Sequence, residues 1–207
     1  MKKLNSRGIT TIEIIVCFVL VVIMTISMYS TISTFNQKRL IESYKSRIYT
    51  YKNILTKDIQ DDIIKKGLTH ASYTRKATGS NVVYTINFDL RDGSKRRLVI
   101  HQTLAYSDYH IEGDPSVDDY FMVQYGDPTK SDGLIEYPIP DLGESRNSSG
   151  HVVKDLSINN IIINISENNF LSIYMGFYHP ELGTRYGVNI ISPINFITAG
   201  SDEVTGF

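Results

Sequence analysis

The feature that most constrains this chain is an uncharged run close to its N-terminus. No charged side chain occurs from Ile14 to Gln37, a stretch of about 24 residues, whereas a helix needs roughly 20 mainly apolar residues to cross a bilayer. Basic residues on one flank of such a run keep that flank in the cytoplasm. The residues before the run are basic: Lys2, Lys3 and Arg7. We therefore expect a single-pass membrane segment at about residues 12–33, with the N-terminus inside and the remainder outside.

An ordinary secretory signal is the first alternative interpretation of this run. Such a signal has an apolar core of about 7–15 residues followed by a small-x-small cleavage site, and Thr25-Ile26-Ser27 is the nearest match. The run is longer than that core, and an acidic residue, Glu13, stands at its start. A carboxylate inside a membrane segment costs about 2.5–3.5 kcal/mol and usually has a partner and a function. Glu13 therefore argues against an ordinary signal.

The residues before and at the start of the uncharged run form an ordered pattern. A short basic leader ends in Gly8, the apolar Ile9 follows, and Glu13 occupies the fifth position counted from Ile9. With this pattern, the first 30 residues or so resemble the type IV prepilin signal. In that family a membrane-embedded aspartyl peptidase, the prepilin peptidase, cuts after the glycine and methylates the new N-terminus. The resemblance implies a leader at residues 1–8, cleavage between Gly8 and Ile9, and N-methylation of Ile9.

The same resemblance implies a structural subunit, which is a substrate of an enzyme and not itself an enzyme, and it implies no cofactor. Glu13 is expected to meet the N-terminal amine of a neighbouring subunit, so that two charges neutralise each other inside a filament. The implied partners are the prepilin peptidase, other pilin or pseudopilin subunits, the cytoplasmic membrane and the assembly platform. The filament would be a type IV pilus, a type II secretion filament or a competence filament, at the cell surface or in the periplasm. Major pilins of the family often have a proline where this chain has Ser30, which favours a minor pilin or pseudopilin.

The residues after the apolar run predict that the same helix continues as an amphipathic one. No Gly or Pro interrupts residues 9–66, and Gly67 stands where a helix C-cap is expected. Apolar side chains recur every three or four residues, which places them on one face of a helix: Ile41, Tyr44, Ile48, Tyr51, Leu55, Ile59 and Ile63. We expect a spine helix over residues 9–66 and a β-rich head over residues 67–207.

The head is predicted to be an antiparallel sheet packed on the second half of the helix, an α+β arrangement. Arg91-Asp-Gly-Ser94 lies between two alternating runs, and Asp-Gly in that position is a strong hairpin signal. Ser166–Asn169 and His179–Gly183 predict two further turns. The predicted strands are Asn81–Asp89, Lys95–Thr103, Tyr120–Tyr125, Leu134–Tyr137, Leu156–Ile165, Phe170–Tyr178 and Tyr186–Ile191. The segments around Asp114–Asp119 and Gly126–Gly150 are expected to be loops.

The head contains no recognised catalytic or cofactor motif, and its charges give only two minor site hypotheses. The chain balances 21 Lys and Arg against 22 Asp and Glu, which argues against a protein that coats nucleic acid. Asp114, Asp118 and Asp119 form a weak candidate calcium loop, although their spacing is not that of an EF-hand. A small basic patch near Tyr84 and Tyr106 leaves DNA contact as a minor alternative: Arg91, Lys95, Arg96 and Arg97.

Two other observations bear on the class of protein. The single cysteine, Cys17, excludes an intramolecular disulfide, and within the apolar run it is expected to act as a small hydrophobe. The alternative to a filament subunit is a signal-anchored surface protein whose head binds a ligand and never polymerises. Cleavage after Gly8 is the property that separates these two hypotheses.

Overall fold

The computed structural model of the protein describes residues 11–104, 114, 116–166, 170–182 and 186–194. The chain divides into two compact units, Met1–Ser43 and Tyr44–Phe207. Helix α1 runs without interruption from Thr11 to Lys66, 56 residues. This confirms the long helix that the absence of Gly and Pro predicted, since these are the residues that most often end a helix.

The second part of α1 buries one stripe of side chains in the core of the second unit. Five residues of the predicted stripe are at most 7 % exposed: Ile48, Tyr51, Leu55, Ile59 and Ile63. Ile41 and Tyr44, at the start of the stripe, are half-buried. Two charged residues between them, Lys57 and Asp58, are exposed. The helical period of the sequence therefore identifies the face that packs against the sheets.

Helix α1 ends at Gly67, as predicted. Gly67 has φ of 73°, a left-handed conformation that only glycine adopts without steric cost. Its N–H donates to the carbonyl of Ile63 at 3.0 Å, and its own carbonyl accepts from the N–H of Arg91 at 2.8 Å. The end of the helix is thereby hydrogen-bonded to the turn between two strands of the sheet.

The larger sheet is a five-stranded antiparallel meander in the order β1-β2-β3-β4-β5. Its strands are β1 (Leu68–Thr78), β2 (Asn81–Leu90), β3 (Lys95–Thr103), β4 (Tyr120–Gly126) and β5 (Leu134–Tyr137). The Asp-Gly hairpin is confirmed, because β2 and β3 pair on either side of Arg91–Ser94. In that turn the carboxylate of Asp92 accepts from the N–H of Ser94 at 2.9 Å.

Two smaller antiparallel sheets complete the second unit. One has the order β10-β9-β8, and the other pairs β6 with β7. Their strands are β6 (Glu144–Arg146), β7 (Val152–Lys154), β8 (Ser157–Ser166), β9 (Phe170–Tyr178) and β10 (Tyr186–Pro193), with a short 3-10 helix, η1, at Pro180–Leu182. A single parallel bridge between Leu68 and Ile194 connects β1 with the residue after β10.

The core of the second unit lies between α1 and the inner faces of the sheets. Phe88, Leu98 and Ile100 of the five-stranded sheet are fully buried, as are Ile173 and Met175 of β9. The ring of Tyr51 on α1 meets the ring of Phe177 on β9 edge-on, with centroids 5.8 Å apart. The predicted α+β class, a long N-terminal helix packed against an antiparallel sheet domain, is confirmed.

Three strands were not predicted from the sequence. Strand β1 was missed because, from Ser72 onward, nearly all of its side chains are exposed, so the sequence shows no alternation there. Strands β6 and β7 have three residues each, and β6 together with the turn before β7 lies in the Gly126–Gly150 segment that was expected to be a loop. Strands this short carry too few residues to show a period.

Candidate membrane-anchoring and assembly segment

Glu13 lies in the first turn of α1 and is exposed. A carboxylate in the first turn of a helix interacts favourably with the unpaired N–H groups and the positive end of the helix dipole. The predicted cleavage position, Gly8 and Ile9, lies outside the described residues. The structure therefore places Glu13, which the sequence analysis expects to act in assembly, at the start of the helix.

The helix from Ile12 to Leu40 has no buried side chain. Its large apolar side chains are 39–76 % exposed. Among the described residues, α1 is the one helix that is long and apolar enough to cross a membrane. Exposed apolar surface of this extent in water is a liability, so this segment requires lipid or other protein around it.

Three threonine hydroxyl groups of this apolar segment are hydrogen-bonded within the helix. Thr25 donates to the carbonyl of Val21 at 2.8 Å. Thr31 and Thr34 donate in the same way, at 2.9 Å, to the carbonyls four residues before them. In hydrocarbon a hydroxyl without a partner is costly, and this bonding pattern removes that cost. These threonines are thus compatible with an apolar environment.

Asp62 joins the C-terminal end of α1 to the five-stranded sheet. Its Oδ2 accepts from Nε of Arg96 at 2.7 Å and from the hydroxyl of Tyr125 at 2.9 Å. Lys66, one turn further along α1, places Nζ 2.5 Å from Oδ1. Burial acts to raise the pKa of Asp62, but hydrogen bonds from Lys66, Arg96 and Tyr125 outweigh it, so the pKa lies below its usual range. We call these four residues the Asp62 cluster.

The basic residues around the first hairpin do not form one patch. Arg96 belongs to the Asp62 cluster and has only 17 % of its side chain exposed. Lys95 pairs with Asp89 at 3.5 Å, and Nε of Arg97 donates to Asn87 at 2.8 Å. Arg96 therefore lies on the opposite face of β3 from Lys95 and Arg97. Of the two tyrosines named with the patch, Tyr106 lies outside the described residues.

The three aspartates of the candidate calcium loop accept separate hydrogen bonds. Asp114 accepts from the N–H and the hydroxyl of Ser116, at 2.9 and 2.5 Å. Asp118 and Asp119 instead cap β7, accepting from the N–H of Val152 at 2.6 Å and of Lys154 at 2.7 Å. Within the described residues no three His, Cys, Asp or Glu side chains are grouped so as to hold a metal ion. The geometry gives these carboxylates a role in fixing the loop and β7.

His179 is a buried residue that the sequence analysis named only as the first residue of a predicted turn. It is 2 % exposed, and its ring centroid lies 4.8 Å from that of Tyr44 on α1. Nδ1 accepts from the N–H of Glu181 at 3.2 Å, whereas Nε2 is buried without a hydrogen bond of normal geometry. Burial lowers the pKa of His179, and the nearby Asp155 and Glu181 oppose this effect only in part. Through this hydrogen bond the ring of His179 holds the start of η1.

Comparison with known proteins gives no family for this chain. Neither the protein-family models, nor the curated proteins, nor the solved structures include one that matches this chain.

Proposed function

We propose that this protein is a structural subunit of a type IV filament, a minor pilin or pseudopilin, anchored in the membrane and assembled through α1. The observation that carries the proposal is the two-part character of one continuous helix. Its residues from Ile14 to Phe35 are exposed and mainly apolar on all sides, while its residues from Ile48 to Ile63 bury one stripe in the β-rich unit. A filament spine needs both properties in a single element.

Glu13 supports assembly in preference to simple anchoring. A membrane anchor gains nothing from a carboxylate at the start of its apolar run, where the charge opposes insertion. In a filament of packed helices, the same carboxylate can pair with an N-terminal amine exposed by cleavage after Gly8. Such a pair neutralises both charges and fixes the axial register between neighbouring subunits.

The leader supports the proposal through its charge. Drawing α1 out of the bilayer with Lys2, Lys3 and Arg7 attached would move three cations through hydrocarbon, each at a cost of about 2.5–3.5 kcal/mol. Cleavage after Gly8 would remove all three and leave one α-amine as the partner for Glu13. The processing step would therefore convert an anchored precursor into a subunit that can leave the membrane.

The test is leader cleavage in cells that express the full chain with or without a prepilin peptidase. We expect intact-mass and N-terminal analysis to show a chain that begins at N-methylated Ile9 only when the peptidase is present. Gly8→Ala should abolish this product, and Ser6→Ala, a matched change within the leader, should leave it unchanged.

Two results would contradict the proposal. An intact N-terminus in the presence of an active peptidase would favour a signal-anchored surface protein that binds a ligand through its head. A cut near Ser27 would identify an ordinary secretory signal. A control prepilin processed in the same cells shows that the peptidase is active.

A further inference from the structure

Strand β8 forms one edge of the three-stranded sheet. It pairs with β9 along one side, and within the described part of the chain no strand pairs with its other side. A strand edge presents a row of N–H and C=O groups to which another strand can bind. The register between β8 and β9 shifts once, between Ile158 and Asn160, and is regular from Asn160 to Ser166. The regular part of β8 therefore presents its edge at the spacing that a further strand requires.

Two other edge strands of the second unit carry features that oppose pairing with another chain. Strand β5 has only four residues and includes Glu136, and β1 carries Arg75 and Lys76 among its exposed residues. Short length and charged side chains are common protections of a sheet edge. Strand β8 has ten residues and none of them is charged, a proline or a glycine. The chain thus protects the edges of β5 and β1 and leaves the edge of β8 suited to pairing.

The isoleucines in the middle of β8 are more exposed than their neighbours on β9. Met175 and Ile173 of β9 are completely buried. Their partners on β8, Ile161 and Ile163, point to the same face of the sheet but are only half-buried. Ile162, on the opposite face, is 44 % exposed. A second strand beside β8 would remove further apolar surface of these isoleucines from water, which favours pairing.

The sequence of this edge reads the same in both directions: Asn160-Ile161-Ile162-Ile163-Asn164. If two copies of β8 pair antiparallel about a two-fold axis at Ile162, Asn160 of one copy lies opposite Asn164 of the other, and Ile161 lies opposite Ile163. An axis at Ile161 or at Ile163 would instead place asparagine opposite isoleucine. Because the strand has no charged residue, the pair also brings no like charges together. A two-fold interface requires such a self-complementary surface, so the sequence favours a second copy of this chain as the partner.

We propose that two copies of the protein pair through antiparallel β8 strands, with Ile162 on the two-fold axis, so that two three-stranded sheets become one sheet of six strands. The axis between antiparallel strands is perpendicular to the sheet. Helix α1 packs along the inner face of this sheet, where Tyr51 meets Phe177, so the axis reverses its direction. The two helices therefore run in opposite directions, and the pair joins subunits of different membranes or filaments. This pairing is separate from the proposed packing of α1 within one filament.

The register of the pair is tested by cross-linking the uncleaved full chain in lipid nanodiscs that hold one chain each. In a Cys17→Ser background, single cysteines are treated with a thiol cross-linker that spans one strand spacing, about 5 Å. We expect Ile162→Cys to give a covalent dimer, because side chains directly opposite each other have Cβ atoms about 5 Å apart. Asn164→Cys, at an exposed position of the same face, should give none. Its equivalent in the second copy lies opposite Asn160, four residues and about 14 Å away.

Sedimentation velocity over a series of protein concentrations measures the pairing of nanodiscs without a cross-linker. Ile162→Asp should weaken the pairing at least about tenfold, because two carboxylates then face each other at the axis. Ile191→Asp, a change at a similarly exposed isoleucine of β10, should leave it unchanged. The proposal is overturned if wild-type nanodiscs stay single, if Asn164→Cys cross-links as fast as Ile162→Cys, or if the two aspartate variants pair equally. The wild-type measurement is decisive even if a variant does not fold, and it is independent of leader cleavage.

Discussion

Asp62 and its neighbour Asp61 show how strongly the contribution of a carboxylate to folding stability depends on its surroundings. Asp62 lies in a cluster whose side chains are mostly covered, whereas Asp61 pairs with Lys65, at 3.7 Å, where both side chains are largely exposed. An exposed pair of this kind contributes little, because water screens it and both side chains lose freedom. A charge that is hydrogen-bonded to three groups on three elements contributes more to stability.

We predict that Asp62→Asn lowers the free energy of unfolding by about 1.5–3 kcal/mol, the usual contribution of hydrogen bonds to a charged group. Asp61→Asn should change it by less than about 0.5 kcal/mol. Urea unfolding of the full chain in detergent, followed by circular dichroism, compares the two. Equal losses in the two variants would show that the Asp62 cluster does not hold α1 to the sheet.

His179 gives the protein a pH-dependent stability at mildly acidic pH. Its pKa in the folded chain is lowered below the ordinary 6.5, because burial disfavours the charged ring. The unfolded chain therefore binds a proton at a pH where the folded chain does not. The stability that this residue contributes is complete above pH 6.5 and is lost as the pH falls from 6.5 toward the lower pKa of the folded state.

His179→Asn should reduce this loss, since an amide oxygen can still accept from the N–H of Glu181 but cannot be protonated in this range. The measurement is the difference in melting temperature between about pH 7 and about pH 5, which should be smaller in His179→Asn than in wild-type protein. His70→Asn, a change at an exposed histidine of β1, should leave the difference as in wild type. If His179→Asn also leaves the difference in melting temperature as in wild type, a group other than His179 causes the acid sensitivity.

At the scale of the elements, the second part of α1 is a major contributor to the core of the head. Leu55 is completely buried, and Ile54, the residue before it, is 48 % exposed. Adjacent residues on a helix point in directions about 100° apart, so Leu55 and Ile54 differ in burial although both lie in the same helix. Substituting each of them separates the effect of burial on stability from the effect of helix propensity.

We predict that Leu55→Ala lowers the free energy of unfolding by about 2–5 kcal/mol, through lost apolar burial and the cavity that remains. Ile54→Ala should cost less than about 1 kcal/mol, because its side chain is already half in solvent and Ala is the better helix former. The two unfolding curves, measured on the same full-length preparation, provide the comparison. Similar losses would mean that the helix stripe does not face the core.

The elements also show what the sequence could and could not predict. The stripe from Ile48 to Ile63, the stop at Gly67 and the strands with clear alternation were predicted because each depends on local periodicity or backbone conformation. Strand β1 is held by pairing to β2 and by the bridge from Leu68 to Ile194, contacts that its own exposed residues do not encode. In the Asp62 cluster, Arg96 and Tyr125 lie 34 and 63 positions beyond Asp62, and no local pattern couples residues so far apart.

At the scale of the whole molecule, the proposed filament role makes Glu13 necessary for assembly. It is not needed for the two steps that precede assembly, membrane insertion and leader cleavage. The residue lies at the start of α1 and takes no part in the core of the head. In that role, membrane insertion would depend on the uncharged run from Ile14 to Gln37, and the predicted cleavage position lies before Glu13 in the chain. Removing the carboxylate without changing the size of the side chain should therefore affect only subunit packing.

We predict that Glu13→Gln is inserted and processed at wild-type levels but is lost from filaments. The loss should be at least about tenfold, because an unpaired N-terminal amine buried among apolar helices costs more than about 1.4 kcal/mol. Immunoblots of the sheared filament fraction and of the membrane fraction, in cells with the complete assembly machinery, measure both quantities. Glu42→Gln, the same change on the same helix but beyond the apolar run, is the matched control and should assemble normally. Normal assembly of Glu13→Gln would show that assembly does not depend on a pair between Glu13 and an N-terminal amine. Failure of both variants to assemble would indicate a general requirement for charge on α1.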